Sequence, residues 1–258
     1  MNFRKISIAC SFATFGLYAV LILSLFYFFQ GDKLLDTLLS ERTLFSVRLS
    51  VAAATISTAF SILIALPAAF ALSRYDFPGK RAVDTMLELP MIVSPAALGA
   101  MLLIFFNNPL GLWIQDHGAQ FVFTFYGIVL AQFVTICGVS TRFIKAAMDE
   151  IPARYEAVAR TLGASPGKAF LTITLPLSRR GIIAASILSW AKALGEFGAT
   201  ITIAGSMAMK TETLPIAIFM RLSSAEIEGT VVLILILVSI GLSILYVARL
   251  LSRGASYA

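Results

Sequence analysis

Charge is scarce in this sequence. Only 13% of its 258 residues are Asp, Glu, Lys or Arg, while 59% are hydrophobic. Soluble domains carry roughly a quarter charged residues, so this chain lacks the polar surface to face water on every side. That excludes an ordinary soluble enzyme. It also removes the usual meaning of a net charge of +6, which in a soluble protein would suggest nucleic acid. Cysteine is nearly absent. Cys10 and Cys137 both sit in apolar runs, which excludes a disulfide framework and reads as two buried apolar side chains. The one histidine, His117, stands beside Asp116 without the further ligands that a metal site needs.

Long apolar runs take the place of charge. A membrane-crossing helix needs roughly 20 mostly apolar residues. Six stretches meet or approach that length: Ile6–Phe29, Ser46–Leu72, Leu89–Phe106, Phe121–Phe143, Gly181–Ala204 and Glu228–Leu250. Pro67 predicts a kink in the second, and Pro90 and Pro95 predict a broken or re-entrant start to the third. The first run is too long for a signal peptide. It ends on the aromatic cluster Tyr27-Phe28-Phe29-Gln30 with no small-residue cleavage site, so it reads as an uncleaved helix.

The basic residues are distributed unevenly between the two sides. Fourteen fall on one side: Arg4, Lys5, Arg74, Lys80, Arg81, Arg142, Lys145, Arg154, Arg160, Lys168, Arg179, Arg180, Arg249 and Arg253. Five fall on the other: Lys33, Arg42, Arg48, Lys210 and Arg221. Lys192 lies inside a span. The positive-inside rule then places both termini in the cytoplasm, which six crossings allow. The expected fold class is an all-α polytopic membrane protein with six transmembrane helices.

The longest polar stretch, Arg142–Gly181, has helical punctuation. Pro152 reads as the first residue of a helix. Tyr155, Val158, Ala159 and Leu162 recur at helical spacing, and Gly163 follows them as a terminating glycine. Ser165-Pro166 reads as the cap and first residue of a second short helix, which Leu175-Pro176 ends. Arg154 and Arg160 give the first helix a charged face. Such a helix either offers a knob to a partner protein or lies on the lipid surface, and physics alone leaves both open. Gly163-Ala164-Ser165-Pro166-Gly167-Lys168 imitates a phosphate-binding loop. It has one residue too few between its glycines, and Ala169 stands where Ser or Thr is needed.

The fifth run contains Trp190-Ala191-Lys192-Ala193-Leu194-Gly195-Glu196-Phe197-Gly198-Ala199-Thr200. Lys192 and Glu196 are four apart, which predicts one shared helix face. Charges in a bilayer pair with each other and face the bundle interior or water. The pair therefore reads either as a packing lock or as a gate for an anion, with Thr200 nearby. Gly195 and Gly198 allow a neighbouring helix to come close.

The stretch Glu156-Ala157-Val158-Ala159-Arg160-Thr161-Leu162-Gly163, nine further residues and then Ile173-Thr174-Leu175-Pro176 resembles the EAA loop of ATP-binding-cassette importer permeases. Val158 is the one departure from that pattern. The resemblance implies that this loop is a coupling helix docking on a separate ATPase. Tyr155, Glu156, Ala157, Arg160 and Gly163 are then the candidate coupling residues. The run Ala193–Thr200, the segment Thr213-Leu214-Pro215-Ile216-Ala217-Ile218 and Phe77-Pro78-Gly79-Lys80-Arg81 resemble the molybdate branch of that family, where Arg more often stands at the Lys192 position. Asn108-Pro109-Leu110-Gly111 matches the branch less well. The resemblance covers Ser46 to the C-terminus, giving an N-terminal helix over 1–45 and a permease core over 46–258.

It implies a prokaryotic inner-membrane subunit without a nucleotide site or cofactor of its own. ATP and Mg would be held by two partner ATPase subunits. The other partners implied are a second copy of the chain and an extracytoplasmic oxyanion-binding protein. Lys192, Glu196 and Thr200 are the candidate translocation residues. The anion is expected to be molybdate or tungstate, with sulfate or thiosulfate as the alternative. A gradient-driven transporter would show related halves, and none is evident. An intramembrane serine protease would need a histidine base within the membrane, and His117 lies in an outer loop.

Overall fold

The structure is a computed structural model that describes residues 3–28 and 31–253, without the side chains of 31–33 and 247–253. Phe29, Gln30 and the side chains of Lys33, Arg249 and Arg253, used above for the first span and the charge balance, lie outside the described residues. Every regular element among the described residues is helical.

The chain opens with α1 (Phe3–Leu25), a short 3-10 turn and α2 (Gly31–Leu39). Next come α3 (Glu41–Arg74), α4 (Lys80–Met86), α5 (Leu89–Ile92), α6 (Pro95–Phe106) and α7 (Pro109–His117). The long α8 (Phe125–Asp149) leads to α9 (Arg154–Thr161) and α10 (Pro166–Ala169). A π-helical turn, Phe170–Thr174, joins α10 to α11 (Leu175–Leu194). The chain closes with α12 (Gly198–Ala204), α13 (Leu214–Ser223) and α14 (Ile227–Arg253). Five stretches are long and apolar enough to cross a bilayer: Phe3–Phe28, Glu41–Arg74, Phe125–Asp149, Pro166–Leu194 and Ile227–Tyr246. A sixth is bent by 112° between Lys80–Ile92 and Pro95–Phe106. The break follows from Pro95, which confines Ser94 to extended backbone (φ −62°, ψ 147°). Ser94 then caps α6 by accepting from Ala97 N at 3.3 Å. Pro67, in contrast, sits within an unbroken α3.

On α3 the packing is reversed relative to a soluble core, although α8 buries Ile128, Ile136, Ile144 and Met148. The buried face of α3 is Thr43, Ser46, Ser50, Ala53, Ala54, Ser57, Thr58, Ser61, Ala65, Ala69 and Leu72. Its large residues Phe60, Leu63 and Ile64 are exposed. Small residues inside and large ones outside are what lipid selects, because bulk gains nothing by leaving lipid and close backbone approach gains contact. α3 and α8 run parallel: Ser57 bonds Val129 O and Gln132, Ser61 bonds Ser140, and Arg74 bonds Met148 O. α11 runs antiparallel to both, with Ser189 on Ser140 at 2.7 Å and Ala185 packed with Ile144 and Met148. Ser61, Ser140 and Ser189 thus join three helices through hydroxyls alone. α6 and α12 cross closely: a Cβ on Gly99 would lie 2.7 Å from Ala199 O, and one on Gly198 would lie 2.9 Å from Ala96 N.

α1 buries no residue of its own. Cys10, expected to be buried, is therefore exposed, and Cys137 is half-buried. The reason is that α1 buries none of its residues against the other described helices, so apolar character there does not mean burial within the chain.

Gly99→Val is expected to force α6 and α12 apart at a cost of about 1–3 kcal/mol. Gly16→Val on α1, where nothing lies within 4 Å, is expected to be silent. Thermal unfolding of the purified protein in detergent distinguishes the two.

Candidate functional site

The polar corner between α8 and α11 is a helix-turn-helix projecting from the bundle. α9 starts at Arg154, so Pro152 precedes the helix by two residues and does not open it. The intervening turn is set by Ile151, which is buried, and by Tyr155 N bonding Pro152 O at 3.1 Å. The far end of α9 closes as read from the sequence. Gly163 has φ +87°, Gly163 N bonds Arg160 O at 3.0 Å, and Ala164 N bonds Ala159 O at 3.0 Å. This pair of bonds is the Schellman arrangement, which needs a left-handed residue that glycine supplies without strain. Ser165 caps α10 by accepting from Lys168 N at 3.3 Å, with Pro166 as its first residue.

Leu175-Pro176 does not end a helix. It begins α11, directly after the π turn. The helix runs on through the π turn, where Leu175 N bonds Phe170 O, and the widened turn just before Pro176 is where the missing proline N–H is accommodated.

α9 buries no residue. Tyr155, Val158 and Leu162 form an exposed apolar stripe, and Leu162 is 84% exposed. Arg154 stacks over the Tyr155 ring at 5.6 Å. Ala157, Arg160 and Gly163 are exposed on the adjoining face, around a recess completed by Thr161, Ala164, Ser165 and Pro166. Glu156 differs from the other four candidate coupling residues because it points inward. Its Oε1 accepts from Arg74 Nε at 2.7 Å and from Thr174 Oγ1 at 2.6 Å, and its side chain is 13% exposed.

The second candidate group lies at the other end of α11, roughly 30 Å away at 1.5 Å per residue. The expected shared face for Lys192 and Glu196 is not formed. α11 stops at Leu194, Gly195 and Glu196 lie in a break, and α12 restarts at Gly198. Glu196 is 5% exposed, and its Oε1 accepts from Ala199 N at 2.9 Å. The carboxylate thereby satisfies a backbone donor that the break leaves open; Lys192 lies within its electrostatic reach but makes no direct ion pair with it. Lys192 is exposed. Thr200 is fully buried, and its hydroxyl lacks a hydrogen-bond partner among the described residues. Lys192 is thus exposed while Glu196 and Thr200 are buried. Ser186, Thr202 and Thr135 bond back to Ile182 O, Gly198 O and Gln132 O, the ordinary behaviour of helix hydroxyls. His117 bonds Trp113 O through Nδ1 at 3.0 Å and stacks on that indole.

Two polar links have no counterpart in the sequence reading. Arg74, counted above only as a basic loop residue, holds Glu156. Arg42 binds Glu212 through two bonds of 2.7 and 2.6 Å, fixing the segment before α13 to the start of α3. Glu212 is 1% exposed. Ser50 Oγ accepts from Leu214 N at 2.7 Å in the same region.

Residues 58–257 match the family model for the binding-protein-dependent transport system inner membrane component. The chain belongs to this family. As a permease component it has several curated relatives. It is 35% identical over 213 residues to the molybdenum transport system permease protein ModB of Haemophilus influenzae, covering 81% of this chain and 93% of the relative. It is 34% identical over 212 residues to the ModB of Escherichia coli K12, with the same coverages. It is 32% identical over 237 residues to the sulfate transport system permease protein CysW of Synechocystis, covering 88% and 86%. Two solved structures share the fold of this permease. One is a bacterial ABC transporter importing the polysaccharide alginate, with TM-score 0.80, 17% identity and coverage of 99% and 96%. The other is the inward-facing MetNI methionine ABC transporter, with TM-score 0.67, 17% identity and coverage of 85% and 100%.

Glu196→Ala is expected to lower stability by about 1 kcal/mol through loss of the cap. Glu196→Gln, which keeps an acceptor for Ala199 N, is expected to cost less, and Lys192→Met least of all. Unfolding midpoints of the three variants in detergent check the order.

Proposed function

We propose that this permease is the membrane-spanning subunit of an ATP-driven importer of a small oxyanion, molybdate foremost, with tungstate as a close analogue. The observation that carries the proposal is the likeness to the molybdenum permeases over nearly their whole length. The chain carries out no covalent chemistry. It works as a homodimer with two ATP-binding-cassette ATPases, which hold ATP and Mg, and an extracytoplasmic protein that delivers the anion. Both termini face the cytoplasm of a prokaryotic inner membrane, a reading supported by the basic residues gathered on the α9 side.

Two features support the assignment of roles. α9 offers Tyr155, Val158 and Leu162 together with Ala157, Arg160 and Gly163 on an otherwise unburied helix, which suits docking into a groove of the ATPase. Exposed Lys192 carries a charge that lipid disfavours, so it faces the second copy or a water-filled path between the copies. There its exposed ammonium is free to attract an anion, because the Glu196 carboxylate one turn on is engaged by a backbone N–H. Glu196 acts as the backbone cap that holds the break next to Lys192, and Thr200 lies behind it in the wall of the path. Transport is by alternating access: closure of the ATPases draws the two α9 helices together and opens the path outward.

The likeness to a sulfate permease supports a second reading, in which sulfate is the cargo. Proteoliposomes holding the permease, its ATPase and its binding protein separate the two. ATP-dependent uptake of molybdate, with an excess of sulfate failing to compete, is the expected result. Uptake that needs no ATP and collapses with an ionophore would favour a gradient-driven carrier. Val158→Glu and Leu162→Glu are expected to abolish copurification of the ATPase while membrane abundance of the permease holds. Retained copurification in both variants would remove the docking assignment.

A further inference from the structure

The inward turn of Glu156 leaves open how a load placed on α9 reaches the membrane helices. α9 buries no residue fully, and its apolar contact with the rest of the chain is confined to a shallow recess shared with Ile173 and Leu177. Glu156 and Ala159 are its half-buried residues. The contacts of Glu156 are the directional polar link between α9 and the helix ends behind it.

Those contacts converge on Arg74, the last residue of α3. Its Nε donates to Glu156 Oε1 at 2.7 Å. Its Nη2 donates to Met148 O at 3.0 Å and Ile151 O at 2.8 Å, carbonyls at the end of α8. Its Nη1 donates to Ser73 Oγ at 2.9 Å, and Ser73 in turn bonds Asp149. The Arg74 side chain is 9% exposed. The Glu156 oxygen that Arg74 holds also accepts from Thr174 Oγ1, just ahead of α11. One guanidinium and one carboxylate oxygen thus join α3, α8, α9 and α11. A planar guanidinium supplies donors in several fixed directions at once, which a lysine ammonium on a flexible stem does not reproduce.

We propose that Arg74 is a positioning residue that locks α9 to the ends of α3 and α8, so that a displacement of α9 becomes a displacement of the membrane helices. The joint lies behind α9, away from the exposed stripe, so losing it loosens transmission and leaves docking intact. This inference rests on the functional reading above and extends it from the docking face to the linkage behind that face.

The test uses the complete importer in proteoliposomes and reads three quantities: ATPase copurified with the permease, ATP hydrolysed, and anion taken up per ATP. The variants are Arg74→Lys, Arg74→Met, Glu156→Gln and the double Arg74→Met/Glu156→Gln. Each single variant is expected to assemble and hydrolyse ATP while anion uptake per ATP falls about tenfold. The double variant is expected to be no worse than either single, because each breaks the same joint. Unchanged uptake per ATP in Arg74→Met would overturn the inference. So would losses that merely track the amount of assembled complex, or fully additive losses in the double variant. Wild-type permease that neither binds an ATPase nor imports an oxyanion would instead overturn the functional reading, so the two failures are distinguishable.

Discussion

Lipid on the outside of the bundle dictates how its helices meet. With no water to expel, large apolar side chains gain nothing by turning inward, and α3 turns Phe60, Leu63 and Ile64 outward. What it turns inward is serine, threonine and alanine, which bring its backbone close to α8 and α11. Ser61, Ser140 and Ser189 bond in series only because that approach is so close. In bilayers such side-chain bonds contribute about 0.6 kcal/mol each on average. Specificity of register is the larger effect: each hydroxyl has a partner at one height only.

The polar links at either end hang on this unit. At one end Arg74 gathers α8, α9 and the start of α11 onto α3. At the other, Arg42 and Ser50 hold Glu212 and Leu214 onto the same helix. α3 is thus the element to which both the exposed knob and the opposite-face segment are tied. Between them the chain is interrupted twice, at Val93-Ser94 and at Gly195–Phe197, and the halves beyond these breaks, α6 and α12, pack against each other through Gly99 and Gly198. Non-helical backbone at membrane depth survives where protein covers it or water reaches it. The pairing of the two breaks supplies the cover.

Much of this was legible in the sequence. Apolar runs announce crossing helices because a bilayer demands about 20 such residues. The corner at Gly163 and the cap at Ser165 announce themselves because few residues satisfy those backbone positions. The break after Leu194 was not legible, because Lys192 and Glu196 have the spacing that an uninterrupted helix would use. Glu196 bonds a backbone N–H instead, a choice decided by local geometry that residue spacing does not encode. Arg74 was hidden for a different reason. It looks like any basic residue at a helix end, and its carboxylate partner is 82 positions away. The exposure of Cys10 shows the limit of hydropathy itself, which reports affinity for an apolar medium without saying whether that medium is protein or lipid.

The π turn at Phe170–Thr174 sets a phase. A π turn fits one more residue into its circuit than an α turn does, so every residue after it is rotated by about 100° relative to an unbroken α-helix. Thr174, at the end of this turn, bonds Glu156, and further along the same rod the offset fixes the azimuth at which Lys192 leaves α11. Removing one residue from this circuit would swing the whole rod, so this short segment holds the compass bearing of a side chain roughly 30 Å away.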